Sequence, residues 1–204
     1  MHNAAGLGDV SRETTERLEI FAGLLKKWTR KINLVAPGTI SNLYERHIAD
    51  SAQIFDLRPE GTRNWVDLGS GGGLPGAVIA ILAAEAAPQL RVTCVESDQR
   101  KAVFLRAVSR ETAVPFTVLT DRIESAQPLE ADVLSARALA PLSKLLEFAD
   151  RHLAEGGTML FQKGAQHEKE CTEAEKNWRF DREVITSCTD PNAVIYKIGA
   201  LRRA

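Results

Sequence analysis

The spacing of apolar residues predicts two amphipathic helices at the start of the chain. Large apolar side chains recur at helical spacing over residues 11–31, and Ser11 is a suitable N-cap. A second helical pattern runs from about residue 40 to residue 55, after the breaker sequence Ala-Pro-Gly at 36–38. We expect residues 1–58 to form an N-terminal helical cap.

From residue 59 onward, short apolar runs alternate with helical segments. The runs that we expect to be strands are residues 65–68, 92–95, 116–119, 133–134 and 158–161. The helical segments between them are residues 77–86, 99–111 and 142–154. This alternation is typical of βαβ units with right-handed crossovers, so residues 59–204 are predicted to form one α/β domain. Its sheet should be mostly parallel, with helices on both faces.

The last part of the chain has a different pattern. Residues 182–187 and 193–198 are two strand-like segments separated by Asp190-Pro191-Asn192, a turn sequence. We therefore expect a terminal pair of strands.

Composition and charge limit the possible classes of protein. The 204 residues are 44% hydrophobic and 26% charged, as in a globular domain, and a net charge of -1 excludes nucleic-acid binding through bulk positive charge. The three cysteines form no CxxC pair, which favours reduced thiols and no zinc site. The start of the chain has no signal-peptide pattern, and its most apolar stretch is too short to span a membrane. We expect a soluble cytoplasmic protein.

Residues 64–76, NWVDLGSGGGLPG, have the layout of a nucleotide-binding loop. An apolar strand leads into a glycine-rich turn and then into a helix, whose first N–H groups are free to meet a ligand. The next predicted strand ends in Glu96, about 20 residues beyond the glycines, where a carboxylate can bind the ribose hydroxyls. Together these two features predict a nucleotide site.

The form of the loop favours one class of nucleotide. Gly71, Gly73 and Gly76 satisfy the dinucleotide pattern GxGxxG, so a nicotinamide oxidoreductase is one alternative. However, the glycines begin earlier, at Gly69, and Asp67 precedes them; this form resembles the first motif of class I methyltransferases that use S-adenosylmethionine. That donor has no pyrophosphate and carries a cationic amino-acid end, which suits nearby carboxylates. A methyl donor is therefore favoured.

The sequence after the fourth predicted strand bears on the methyl acceptor. Residues 132–140, DVLSARALA, lack the Asn/Asp-Pro-Pro-aromatic motif that is typical of methyltransferases acting on exocyclic amines in nucleic acid. Carbon-directed methylation needs a cysteine nucleophile in a comparable loop, and Cys94 lies within a predicted strand instead. We therefore expect an acceptor atom that is already nucleophilic.

Seven segments together resemble one family over nearly the whole chain. They are residues 28–34, 46–51, 65–76, 96–105, 122–124, 135–138 and 163–164. The chain resembles the small-subunit ribosomal RNA methyltransferase G family, also called glucose-inhibited division protein B. The resemblance implies a Rossmann-like class I fold and transfer of a methyl group from S-adenosylmethionine to N7 of a guanine in 16S ribosomal RNA. Because N7 has a free lone pair, no general base and no catalytic side chain is required.

The resemblance also implies roles for individual residues. Those expected to bind the donor are Gly69, Gly71, Leu74, Glu96 at the ribose, Ile123 and Glu124 beside the adenine, and Arg137 at the mouth of the site. Arg137 and Lys163 are also expected to meet the RNA substrate. The family pattern places His47, Asp50 and Ser51 near the donor site, with no catalytic role for His47.

A cluster of basic residues ends the first predicted helix. Lys26, Lys27, Arg30 and Lys31 complement the helix dipole there, and they also offer contacts to RNA phosphates. We expect this cluster to bind 16S ribosomal RNA. An inactive nucleotide-binding module and a small-molecule methyltransferase stay open as alternative functions.

Overall fold

A computed structural model describes residues 10–204 of the chain. The helical cap predicted for residues 1–58 therefore includes nine residues, 1–9, that lie outside the described part, and the absence of a signal peptide was also predicted partly from these nine residues. The boundary predicted after residue 58 falls between the last short helix of the cap and the first strand. The division into a cap and a separate α/β domain stays a prediction.

The first predicted helix is confirmed. Helix α1 spans Arg12–Thr29, and the Ser11 hydroxyl accepts a hydrogen bond from the Thr14 N–H at 3.2 Å as its N-cap. Leu18 and Phe21 are fully buried in the core beneath it.

The second predicted helix is not one regular helix, which corrects the sequence-based expectation. The segment consists of a 3₁₀ helix (Pro37–Asn42), a π-helical turn (Tyr44–Ala49), the short helix α2 (Asp50–Ala52) and a further 3₁₀ turn (Phe55–Leu57). A regular α-helix buries one stripe, whereas the consecutive residues His47, Ile48 and Ala49 are all buried here. π-helical turns are rare and mostly occur as single turns, so the spacing of apolar residues alone does not predict one.

The predicted parallel sheet is confirmed. Seven strands lie in the order β3-β2-β1-β4-β5-β7-β6, in which β1 to β5 are parallel and β7 is antiparallel to both of its neighbours. The strands are β1 (Asn64–Leu68), β2 (Arg91–Val95), β3 (Thr117–Leu119), β4 (Ala131–Arg137), β5 (Leu153–Lys163), β6 (Trp178–Thr186) and β7 (Val194–Arg203). The terminal strand pair is present, with longer strands than predicted.

The remaining helices cover both faces of the sheet. They are α3 (Gly76–Ala86), α4 (Gln99–Glu111), α5 (Leu142–His152) and α6 (His167–Ala174). Helix α5 ends two residues before its predicted end because β5 begins at Leu153, and α6 was not predicted. No helix within residues 10–204 combines the length and the apolar character that crossing a membrane requires.

Alternation along the strands divides the core into two layers. Trp65 of β1, Val133 of β4 and Leu160 of β5 pack on the face covered by α1, α3 and α4. Val66 and Leu134, the next residues along β1 and β4, pack on the other face with α5 and α6. By the same alternation, Arg137 at the end of β4 points to the face with α1, and Lys163 at the end of β5 points to the face with α6. These directions determine which residues each of them contacts.

Candidate functional site

The glycine-rich loop between β1 and α3 is held in a conformation that favours glycine. Gly69, Gly71 and Gly73 have φ angles of 63°, 52° and 78°, a region that other residues adopt only with strain. The Ser70 N–H donates to the carbonyl of Val95, the last residue of β2, at 3.0 Å. The loop therefore lies over the carboxyl ends of two neighbouring strands, where open α/β sheets bind their ligands.

Asp67 fixes this loop from beneath. Its fully buried carboxylate accepts hydrogen bonds from the Gly76 N–H at 3.1 Å and the Ser135 hydroxyl at 2.7 Å. Ser135 in turn accepts a hydrogen bond from the Trp65 indole N–H at 2.9 Å. Burial raises the pKa of Asp67 to about 6, although its hydrogen bonds to Ser70, Ser135 and Gly76 act in the opposite direction. Asp67 thus joins the loop to the core.

Glu96 faces the loop from the end of β2. One of its carboxylate oxygens accepts the Gly71 N–H at 2.8 Å, and the other accepts the Asp98 N–H at 2.8 Å. A Cβ atom added at Gly71 would lie 3.7 Å from the Gly69 carbonyl oxygen and 4.0 Å from the nearer Glu96 oxygen, both ordinary contact distances, so it is the positive φ angle of Gly71 that favours glycine there. Each oxygen keeps a further lone pair that can accept a ribose hydroxyl. This arrangement fits the predicted nucleoside donor.

The other residues expected around the donor differ in exposure. Ile123 lies half-buried beyond β3, and its carbonyl is 2.8 Å from Nε2 of His152. Its neighbour Glu124 is exposed. The Leu74 side chain is buried in the core layer that includes α1, so Leu74 is left to meet a donor mainly through its backbone.

Arg137 ends β4 and points toward the helical cap. Its guanidinium is 3.2 Å from the carboxylate of Asp50, and it also donates to the carbonyl of Arg46 at 3.2 Å. Nη2 of the same side chain is 2.6 Å from Nδ1 of His47. The side chain is 19% exposed. Arg137 is therefore held at the edge of the site by the cap.

His47 must be neutral to take part in this arrangement. Because a guanidinium only donates, Nδ1 of His47 accepts and the ring proton is on Nε2, which lies 2.7 Å from the Thr39 hydroxyl. Burial first, and then the charges of Arg137 and Arg46, lower the pKa of His47 to about 4. Nδ1 of His47 therefore accepts a hydrogen bond from Arg137 and carries no proton.

A cavity of about 510 Å³ lies at the carboxyl ends of β4 and β5. Its lining includes Arg137 and Gln162, the last-but-one residue of β5, together with the loop 138–141 that follows β4. Leu139 of this loop is so close to the glycine-rich loop that a Cβ atom added at Gly69 would be 2.5 Å from its Cδ1 atom. The cavity, called the site cavity below, therefore adjoins the glycine-rich loop through Leu139.

Lys163 also lines the site cavity but points to the opposite face of the sheet from Arg137. Its ammonium group donates to the Ala140 carbonyl at 2.9 Å and lies 2.5 Å from the carboxylate of Glu170 on α6. Glu170 also accepts the Leu142 N–H at 2.9 Å. The Lys163 side chain is only 9% exposed. Its contacts hold the loop after β4 in place, and its expected contact with the RNA substrate stays a prediction.

The four basic residues at the end of α1 are exposed. They are Lys26, Lys27, Arg30 and Lys31, and none of them forms an ion pair with another residue of the described range 10–204. Leu25 in the same turns of α1 contacts the glycine-rich loop, since a Cβ atom added at Gly72 would be 3.2 Å from it. The basic cluster therefore belongs to the end of α1 that packs against the glycine-rich loop.

Sequence reasoning missed Gln162 and Glu170, which shape the site, and it placed Asp50 near the donor without its contact to Arg137. Asp50 binds Arg137, Gln162 lines the site cavity, and Glu170 binds Lys163. The only available signal was the position of Asp50 within the segment that resembles the family, since neither the glutamine nor the glutamate belongs to a recognisable motif.

Solved structures show the fold class. A ribosomal protein L11 methylase from Lactobacillus delbrueckii subsp. bulgaricus aligns with a TM-score of 0.60 at 14% identity, covering 76% of this chain and 78% of that one. A methyltransferase from Geobacter sulfurreducens aligns with a TM-score of 0.59 at 14% identity, covering 93% and 96%. The chain thus has the predicted Rossmann-like class I methyltransferase fold.

Sequence comparison shows the family. The family profile described as "rRNA small subunit methyltransferase G" matches residues 14–195. A protein named "Ribosomal RNA small subunit methyltransferase G" from Ruegeria sp. (strain TM1040) is 57% identical over 195 residues, 96% of this chain and 95% of the relative. Its namesake from Ruegeria pomeroyi is 53% identical over the same shares of both chains. The chain therefore belongs to the rRNA small subunit methyltransferase G family.

Proposed function

We propose that this protein transfers the methyl group of S-adenosylmethionine to N7 of a guanine in 16S ribosomal RNA. The observation that carries the proposal is the glycine-rich loop whose Gly71 N–H meets the carboxylate of Glu96. The family is named for methylation of small-subunit ribosomal RNA. The loop would bind the methyl donor, and the adjoining cavity would receive the RNA base that accepts the methyl group. A cytoplasmic location, where ribosomes are assembled, is part of the same proposal.

The residues proposed to hold the donor lie in the glycine-rich loop and at or beyond the carboxyl ends of β2, β3 and β4. They are Gly69, Gly71, Leu74, Glu96, Ile123, Glu124 and Arg137. The bound donor supplies an electrophilic methyl group on a cationic sulfur. Glu96 would accept the ribose hydroxyls, and the left-handed glycines let the backbone approach the ligand without side chains between them.

The site cavity is proposed to receive the guanine. Its charged side chains form two pairs, Arg137 with Asp50 and Lys163 with Glu170, so the lining is close to neutral. A near-neutral lining suits a reaction in which the purine ring becomes positively charged. The reaction needs no proton acceptor, because the N7 lone pair attacks the methyl carbon while the carbon–sulfur bond breaks. The chain would contribute alignment and exclusion of water.

The basic cluster on α1 is proposed to bind the RNA backbone. Lys26, Lys27, Arg30 and Lys31 are exposed cations at the end of α1 that packs against the glycine-rich loop. A chain with a net charge of -1 needs such a local cluster to attract a polyanion. Lys163 would contribute less, because its ammonium group is already bound to Glu170.

Glu96→Gln tests the donor site. Hydrogen bonds to a charged group contribute about 1.5–3 kcal/mol, so we expect the dissociation constant for S-adenosylmethionine to rise about 10- to 100-fold. Isothermal titration calorimetry measures it, and methyl transfer from tritium-labelled donor to small-subunit ribosomal RNA should fall in parallel at subsaturating donor.

The matched control is Glu60→Gln, which changes an exposed acid in the turn before β1, at the opposite edge of the sheet. It should bind the donor as the wild type does. Equal donor affinity in Glu96→Gln and the wild type would contradict the proposed site. Donor binding without any methyl transfer would indicate an inactive nucleotide-binding module. Transfer to small molecules but not to RNA would indicate a small-molecule methyltransferase.

A further inference from the structure

The carboxylate of Asp50 is surrounded by donors from four parts of the chain. Oδ1 accepts from Gln53 Nε2 at 2.8 Å, Thr189 Oγ1 at 3.0 Å and Ser187 Oγ at 3.3 Å, while Oδ2 accepts from Gln162 Nε2 at 2.9 Å and lies 3.2 Å from Arg137 Nη1. The side chain is 15% exposed. Such a network is too extensive for an ordinary surface acid.

The two oxygens of Asp50 serve different parts of the molecule. Oδ1 joins the helical cap to the segment between β6 and β7 through Thr189 and Ser187. Oδ2 meets Arg137 and Gln162, which are register partners on β4 and β5 and both line the site cavity. One oxygen therefore connects the cap to the sheet, and the other faces the residues of the site.

Asp50 supplies the only negative charge within 4.0 Å of the Arg137 guanidinium among residues 10–204. The other partners of Arg137 are the neutral ring of His47 and backbone carbonyls. The Gln162 amide is oriented in the same way, because its Nε2 donates to both the carbonyl and the carboxylate of Asp50. Removing the charge of Asp50 would release the guanidinium and leave the amide with a weaker partner.

We propose that Asp50 is a positioning residue for methyl transfer. It holds Arg137 and Gln162 in one arrangement at the wall of the site cavity before the acceptor enters, so that the acceptor nitrogen meets the methyl group in line. The inference rests on the proposed function, because it concerns how that reaction is aligned. Groups fixed in advance spare the reaction the cost of ordering them, and a misplacement of about 1 Å can slow a reaction about 100-fold.

The test is Asp50→Asn, with kcat, KM for RNA, donor affinity and unfolding temperature all measured. We expect kcat to fall about 100-fold, with a smaller loss of donor affinity, since Asp50 contacts no residue of the glycine-rich loop and acts on the donor only through Arg137. Thr189→Val is the matched control, because it removes a donor to Oδ1 and leaves Oδ2 unchanged. It should keep the wild-type kcat.

A double variant separates positioning from general support of the fold. If Asp50 acts through Arg137 and Gln162, then the rate loss of Asp50→Asn combined with Arg137→Gln should be smaller than the product of the two single losses. Rate losses that multiply in the double variant would overturn the inference, as would a wild-type kcat in folded Asp50→Asn. If the wild type itself fails to methylate RNA, the proposed function fails, which is a different result.

Arg137→Lys gives a second test that does not depend on the folding of Asp50→Asn. Lysine keeps the charge, but its single ammonium group cannot reach both Asp50 and His47 as the planar guanidinium does. We expect its kcat to fall toward that of Arg137→Gln. A wild-type kcat in Arg137→Lys would show that the held geometry of the guanidinium is unnecessary, and this result would also overturn the inference.

Discussion

Gly76→Ala is a direct test of how tightly the nucleotide loop is joined to the core. Gly76 is the first residue of α3, and its N–H donates to the buried carboxylate of Asp67. A Cβ atom added there would lie 2.7 Å from Oδ2 of Asp67 and 2.7 Å from Sγ of Cys94. Both neighbours belong to central strands and are fully buried, so neither side chain can move into solvent.

The magnitude follows from this collision. Adding a methyl group to a filled interior costs typically about 1–3 kcal/mol, and we expect the free energy of unfolding of Gly76→Ala to fall by that amount. For a protein of this length, each kcal/mol corresponds to a shift in unfolding temperature of about 2–4 °C. The displaced loop should also bind S-adenosylmethionine more weakly.

Gly23→Ala is the matched control, since the same methyl group is added within α1 and nothing lies within 4 Å of it. Alanine is a better helix former than glycine, so this variant should be more stable than the wild type by up to about 1 kcal/mol. Urea unfolding followed by circular dichroism measures both. Equal stabilities of Gly76→Ala and Gly23→Ala would refute the close packing of the loop against Asp67.

Two further predictions concern pH and salt. The pKa of His47 is about 4 in the folded protein and 6.5 ordinarily, so its contribution to stability is complete above pH 6.5 and is lost as the pH falls toward 4, by up to about 3 kcal/mol. Asp67 has a raised pKa and acts in the opposite direction, but it does so equally in wild type and His47→Gln. Urea unfolding between pH 4 and 7.5 should therefore show that the difference in free energy of unfolding between the two proteins shrinks on acidification. A difference that does not change with pH would contradict the assignment. Replacing both Lys26 and Lys27 with Gln should raise KM for RNA and reduce the salt dependence of RNA binding, by a slope of about 0.7–0.9 per lost phosphate contact. Donor affinity should not change, and an unaltered salt slope would exclude these lysines from the RNA interface.

Much of the fold could be predicted because its signals are local. The strands of the parallel sheet are short apolar runs, and the loop between β1 and α3 is marked by closely spaced glycines. Helix α6 was missed because it buries only Cys171 and Ala174, which is too short an apolar stripe to produce a helical pattern. The irregular segment Tyr44–Ala49 was missed for a different reason. Its form depends on side chains that face the core and Arg137 at once.

The candidate site was predictable in its residues and less so in their contacts. Glu96 follows a strand at the expected distance from the glycines, and the structure brings its carboxylate to Gly71. The partners of Arg137 and Lys163 could not be predicted, because Asp50 and Glu170 are distant from them in sequence. Strand alternation places Arg137 on the face toward the cap and Lys163 on the face toward α6. Which acidic residues they meet on those faces depends on how the chain folds.

The central claim is that the glycine-rich loop and Glu96 bind a methyl donor for N7 of a guanine in 16S ribosomal RNA. The most direct test incubates the protein with tritium-labelled S-adenosylmethionine and small ribosomal subunits or their RNA, digests the RNA, and identifies the labelled nucleoside by chromatography and mass. The account predicts label in 7-methylguanosine from the small-subunit RNA, and a marked loss of label with Glu96→Gln. Label in a different nucleoside, or none from a protein that binds the donor, would contradict it.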